Sequence, residues 1–259
     1  MVATPVPDVA PVLADLDERG YDVTRLDTDG PAAVAAGGDP PGAVTDRPLA
    51  VEPLADPTPL SLVARLASAA GKEQAVLFVC DPEEAARARA VLSDPLLLRE
   101  ATDGCRAFYA VPDRIQVQAG GYACVRTDGE LTWREEPAGG GVGTADDPED
   151  TGPRLLLETE GRAVAAFDSV AGLTCPGPTA AAFPYRYRWG EDRHVHVLDG
   201  EREVGRYPGV AAMKENAYRP VPLPLVPEHH LRENTALARH WTLATVADGA
   251  VEYETAVDV

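Results

Sequence analysis

The segment VPEHHLRENTALARHW, residues 226–241, carries three of the chain's five histidines beside two glutamates. Imidazole and carboxylate are the groups that ligate transition metals and move protons near neutral pH, so this spacing raises a metal centre or an acid–base pair. With Pro227 at the first helical position, about 3.6 residues per turn place Leu231, Leu237, Ala238 and, at the edge, Trp241 on one arc. That arc is the packed face. It includes His230, which is therefore expected to be buried and hydrogen-bonded. His229, Glu233 and His240 fall on the opposite side, facing solvent, but Glu233 and His240 stand roughly 10 Å apart along the axis. Only His229 and Glu233, at i and i+4, can meet. The helix thus supplies two ligands at most and lacks the HExxH spacing, whereas zinc takes three or four.

A second pair lies in DRHVHVLDG, residues 192–200. On a strand His194 and His196 share one face, while Val195 and Val197 take the other. Were this strand to come against the late helix, His194, His196, His229 and Glu233 would be the ligands of a divalent ion such as zinc, iron or manganese. Otherwise the histidines are structural, and the pair is the polar outer face of a hairpin. A His-x-His strand with Glu201 shortly after it invites comparison with metal-binding cupin barrels. The glycine spacing around the pair and the missing Pro-x-Gly before the later histidine depart from that pattern, and no family is assigned.

Other motifs point away from chemistry. The turn after QAVLFVC, residues 74–80, is where α/β proteins commonly seat phosphates, but Asp81, Glu83 and Glu84 already occupy that helix end and repel them. GGGVGT at 139–144 lacks the Lys-Ser/Thr of a phosphate loop, so no cofactor-binding residues are assigned. The acidic run DDPED at 146–150 has no calcium-loop spacing. No Gly-x-Ser-x-Gly elbow is present. Cys80, Cys105, Cys124 and Cys175 form no CxxC pair, which leaves them as small buried apolar residues. Catalytic residues therefore remain unknown.

The elements that position these residues divide into two textures. Asp8 caps a helix with Val9, Val12, Leu13 and Leu16 on one face and Gly20 at its end. YDVTRL is a strand, and residues 27–46 read as a long Gly/Pro/Ala connection. Thr58 and Pro59 open a helix that buries Leu62, Val63 and Leu66. QAVLFVC is a strand covered on both faces, and DPEEAARARAVL a helix with a capping box of Asp81 and Glu84. Beyond about residue 104, Asp128-Gly129, Glu160-Gly161, Asp199-Gly200 and Asp248-Gly249 each mark a tight hairpin. Residues 135–153 read as a mobile acidic loop. RPVPLPLVPEHH must be an extended strap or edge segment, because proline cannot serve a central strand. The expectation is an α+β fold: an α/β portion at 1–103, then an antiparallel β-rich portion at 104–259 built from hairpins with a late helix, or the two as one continuous domain.

Composition bounds the function. Forty-two acidic residues against 23 basic give a net charge of −19, and lysine occurs only at Lys72 and Lys214. Abundant carboxylate with so little strongly hydrated ammonium is the surface of a salt-adapted, halophilic-type protein. Such a surface disfavours nucleic acid. No leader or spanning stretch is seen, so cytoplasm and no membrane are expected. The reading reached is a non-catalytic binding or interaction protein for a protein partner or small ligand; the alternative is a metal-dependent enzyme with the histidine site above.

Overall fold

The structure is a computed structural model that describes residues 6–27, 30–41, 47–137, 153–174, 176–231 and 237–255. It is an α+β fold. The chain opens with α1 (Ala10–Glu18), where the Asp8 carboxylate accepts the Ala10 N–H at 2.9 Å and Val12, Leu13 and Leu16 are buried. Gly20, at φ +83°, ends the helix by turning the Tyr21 N–H back onto the Leu16 carbonyl. Strand β1 (Asp22–Arg25) follows. Within the stretch read as a connection lies β2 (Ala33–Ala36), paired antiparallel to β1 and to β3 (Leu49–Pro53). Alanine is a weak strand former, but Ala33 and Ala35 are fully buried in the core shared with α1. Burial decides where propensity does not.

Helix α2 (Pro59–Ala70) starts at Thr58, whose Oγ1 accepts the Ser61 N–H at 3.2 Å. Strand β4 (Ala75–Cys80) is buried at every residue and runs parallel to β3. In α3 (Pro82–Leu92) the expected capping box is not formed: the Asp81 side chain makes no capping bond, and Glu84 is buried and turns to Arg87 at 3.2 Å.

Hairpin chemistry then takes over. Asp103 and Gly104, both at positive φ, join β5 (Leu98–Thr102) to β6 (Cys105–Arg114). Strands β7 (Tyr122–Arg126) and β8 (Thr132–Glu136) come next. The expected hairpin at Asp128-Gly129 between them does not exist, because β7 pairs within one sheet and β8 within another. The turn is a corner. Glu135 and Glu136 belong to β8, not to a loop, and residues 138–152 of the expected mobile segment lie outside the described residues. Glu160-Gly161 closes β9 (Arg154–Thr159) onto β10 (Arg162–Phe167) as read. After β11 (Tyr185–Trp189), Gly200 and Glu201 link β12 (Val195–Asp199) to β13 (Arg202–Tyr207), one residue later than expected. Helix α4 (Val210–Glu215) leads to β14 (Tyr218–Pro220) and β15 (Pro222–Leu225).

These strands form two sheets. One has the order β10-β9-β8-β6-β15, with β5 also on β6; the other has the order β13-β12-β11-β7-β14. The proline-rich run sits at the edge of both, as its missing donors require. Residues of both sheets, among them Phe108, Trp133, Leu155, Leu157, Ala123, Val125 and Val221, share one buried core. Alternate residues of β7 face the other way: Cys124 joins Tyr187, Val197, Met213 and Tyr218 in a second core under α4.

The last segment returns to the first sheet. Helix α5 (Pro227–Leu231) is short, and Leu237–Arg239 is a 3-10 turn. Strand β16 (Trp241–Ala247) then lies parallel to β4, and β17 (Ala250–Thr255) turns back on it at Asp248-Gly249. The first sheet is thus β1-β2-β3-β4-β16-β17. Leu16, Val51, Leu77, Val79 and Ala244 make the core on its α1 face. Contacts divide the chain into a unit of Met1–Leu97 with Pro227–Val259 and a unit of Leu98–Val226. This differs from a cut at 103/104 because β16 and β17, read with the antiparallel part, complete the first sheet. No helix among the described residues is long and apolar enough to cross a membrane.

Candidate functional site

The His194/His196 segment forms a charged cluster in the unit of Leu98–Val226. His196 points away from buried Val195 and Val197, as strand alternation dictates, whereas His194 precedes the strand in the β11–β12 loop. His196 Nε2 meets Asp192 Oδ1 at 2.9 Å and Nδ1 meets Glu203 Oε2 at 2.6 Å. Arg206 contacts the other Asp192 oxygen at 2.5 Å, and the His194 amide donates to Asp192 at 3.1 Å. Gly190 makes room for this: a Cβ there would stand 2.5 Å from His196 Nε2 and 2.6 Å from Asp192 Oδ1.

The electrostatics follow from the contacts. Hydrogen bonds to Asp192 and then Glu203 hold the His196 pKa above the ordinary imidazole value. The bond from His196 and that from the His194 amide hold the Asp192 carboxyl well below the usual carboxylate range. An imidazolium clamped at both nitrogens by carboxylates has neither a lone pair for a metal nor an open acceptor for a proton. An ion would have to displace Asp192 or Glu203. Glu201, whose position invited the cupin comparison, pairs with buried Arg186 at 2.8 Å.

The remaining metal candidates do not gather on this cluster among the described residues. His229 is exposed on α5, in the unit of Met1–Leu97 with Pro227–Val259, and stacks edge-on against His230 at 5.6 Å. Glu233 lies outside the described residues. No group of three or more His, Cys, Asp or Glu residues among those described is placed to hold a metal. His230 is half-buried, and burial lowers its pKa. The single helix expected through Trp241 is corrected: His240 leads into β16, its carbonyl accepts the Val76 N–H at 3.0 Å, and Trp241 is the first residue of that strand. Pairing with β4 wins over the helical arc.

The thiols are placed for packing. Cys80 and Cys124 are buried, and burial pushes each pKa up to about 12, so neither is a thiolate at neutral pH. Cys105 is half-buried, and Cys175 lies outside the described residues.

A cleft of about 290 Å³, which no sequence motif marks, opens beside the Asp128 corner. Leu131, Pro220 and Pro222 supply apolar wall, and Glu130, Lys214 and Arg219 supply charge. Thr127 fixes the corner: its Oγ1 meets Thr159 Oγ1 at 2.8 Å and accepts the Gly129 N–H at 3.0 Å. Its carbonyl accepts from Arg219 Nε at 3.3 Å. Trp133 Nε1 donates to the Pro222 carbonyl at 2.8 Å and holds the opposite wall. Fully buried Met213 pins α4 to its sheet and thereby sets the adjacent Lys214 at the rim. The one signal in the sequence is composition, since Lys214 is one of only two lysines.

Compared with known proteins, the chain matches no family model, no curated protein and no solved structure.

Proposed function

We propose that the protein is a non-catalytic binding protein whose small ligand enters the cleft beside the Asp128 corner. The make-up of that cleft carries the reading: Leu131, Pro220 and Pro222 offer apolar surface beside the hydrogen-bonding groups of Lys214, Arg219 and Glu130. Recesses that desolvate a guest on one wall and orient it from another are how small molecules are bound. The closed carboxylate–imidazolium cluster and the neutral buried thiols support binding over turnover. The test is a fragment library screened by amide chemical shifts on the labelled full chain. Hits are expected to move the Gly129 and Leu131 amides. A library in which every hit maps elsewhere, or in which none moves those amides, overturns the reading.

A further inference from the structure

We infer that the ligand of this cleft is a small organic anion, a carboxylate or phosphate on a compact apolar body; this rests on the cleft being the binding site. On a chain of net charge −19, a cation has an excess of carboxylates to choose from, and several arginines use them. Arg19 meets Asp15, Arg65 meets Glu52, Arg89 meets Glu254, Arg106 meets Glu135 and Arg206 meets Asp192. Lys214 and Arg219 are among the cations that form no such pair. Among the described residues neither has a carboxylate within ion-pair distance, and both line the same cleft. The one acid of the cleft, Glu130, is already answered by Arg99 at 2.8 Å.

Geometry sharpens the chemistry. The bond from Arg219 Nε to the Thr127 carbonyl anchors one edge of the guanidinium, and its terminal nitrogens have no acceptor among the described residues. A planar fork anchored at one edge suits the paired oxygens of a carboxylate or phosphate. Lys214, exposed on α4, adds a mobile point charge at the rim. The volume of about 290 Å³ lies at the lower end of small-molecule sites and suits a compact body against Leu131, Pro220 and Pro222. The rest of the surface repels anions at long range, so selectivity must come from these two cations at contact.

Benzoate, phenyl phosphate and neutral benzamide share a ring and differ in the head, so titrating the full chain with each at low KCl separates the contributions. Benzoate or phenyl phosphate is expected to bind at least roughly tenfold tighter than benzamide, as charge-assisted hydrogen bonds require. The tighter of the two identifies the head group. Lys214→Gln and Arg219→Gln should each weaken the preferred anion by roughly tenfold or more, Arg219→Lys should restore part of the loss, and Lys72→Gln should change nothing. Because Lys214 is exposed, its variant keeps the test sound should the Arg219 variants unfold. Benzamide binding as tightly as both anions, with the Gly129 and Leu131 amides still shifting, overturns the anion inference and leaves the binding reading standing. No response of those amides to any of the three probes sinks both.

Discussion

Glu52 offers the sharpest test of how the first sheet is held. It lies on β3 with only 4% of its surface exposed, on the sheet face opposite Val51, and its carboxylate meets Arg65 Nε of α2 at 3.5 Å. Burial raises its pKa, while Arg65 and then Lys72 pull it back. Replacing Arg65 with Met leaves that carboxylate buried without its nearest cation. Breaking a fully buried pair costs about 3–5 kcal/mol. The Arg65 side chain is 34% exposed and the contact is loose, so solvent already screens part of the interaction, and about 2–3 kcal/mol is expected. That corresponds to a fall of roughly thirtyfold to a hundred-and-fiftyfold in hydrogen-exchange protection of the Leu77 and Val79 amides of β4. Glu52→Gln, which removes the charge and lets Arg65 hydrate, should stay within about 1 kcal/mol of the parent. The pH dependence has a fixed sign. A carboxyl whose folded pKa lies above its unfolded value contributes stability that is complete below the unfolded value and is lost as pH rises through the folded one. The Arg65→Met deficit must therefore shrink on acidification, and Glu52→Gln must flatten the slope. A deficit that is absent at neutral pH, or independent of pH, would refute the buried-pair argument.

Three further outcomes follow. With a net charge of −19 the melting temperature should climb with KCl, because cations screen carboxylate repulsion; a melting curve unchanged between dilute buffer and molar salt counts against salt adaptation. Tyr253→Phe removes the 2.6 Å bond from its hydroxyl to Asp15 of α1 and should cost about 1–2 kcal/mol in urea unfolding, less than a fully buried charged bond because Asp15 is 30% exposed and keeps Arg19; a loss below about 0.5 kcal/mol would show that α1 is docked by its apolar face alone. Gly190→Ala forces the ring of His196 off Asp192, so the His196 pKa should drop toward about 6.5 in an NMR titration, shrinking a stabilisation that in the parent is full below that value and lost as pH rises through the raised folded one. An unaltered titration curve would mean the loop simply relaxes.

What the sequence discloses about this fold is what short-range chemistry decides. The α2 start is legible because Thr58 and Pro59 act on their own turn, and β4 is legible because six consecutive buried positions leave no polar face. Asp248-Gly249 is legible as a turn for the same reason, yet the sheet its strands join is not. Parallel pairing of Trp241 with Val76 joins residues far apart in the chain, and no local pattern encodes it. The Asp128-Gly129 corner shows the converse. A dipeptide suited to a hairpin sits where β7 pairs with β11 and β14 while β8 pairs with β6 and β9. Partner choice by the apolar faces outweighs turn chemistry.

The histidines illustrate why a site is harder to read than a strand. Alternation correctly sets His196 opposite Val195 and Val197, but what an imidazole can do depends on what faces it, and that is a matter of register. Pairing β12 with β13 brings Arg206 opposite His196 and Glu203 opposite Leu198, two pairs further on across a bulge, and the loop folds Asp192 back from the other side. Two carboxylates at hydrogen-bond distance convert a potential ligand into a fixed cation. The cleft reverses the logic, because its cations sit in a chain rich in acids and yet pair with none among the described residues, the cleft's own Glu130 being held by Arg99. A lysine stands out wherever a chain otherwise relies on arginine; what the fold adds is a second cation, an apolar wall and a single carboxylate, Glu130, that Arg99 already engages. If Lys214 serves only solubility, Lys214→Arg and Lys214→Gln should be indistinguishable in every binding titration, whereas a charge selected for its ligand must separate them.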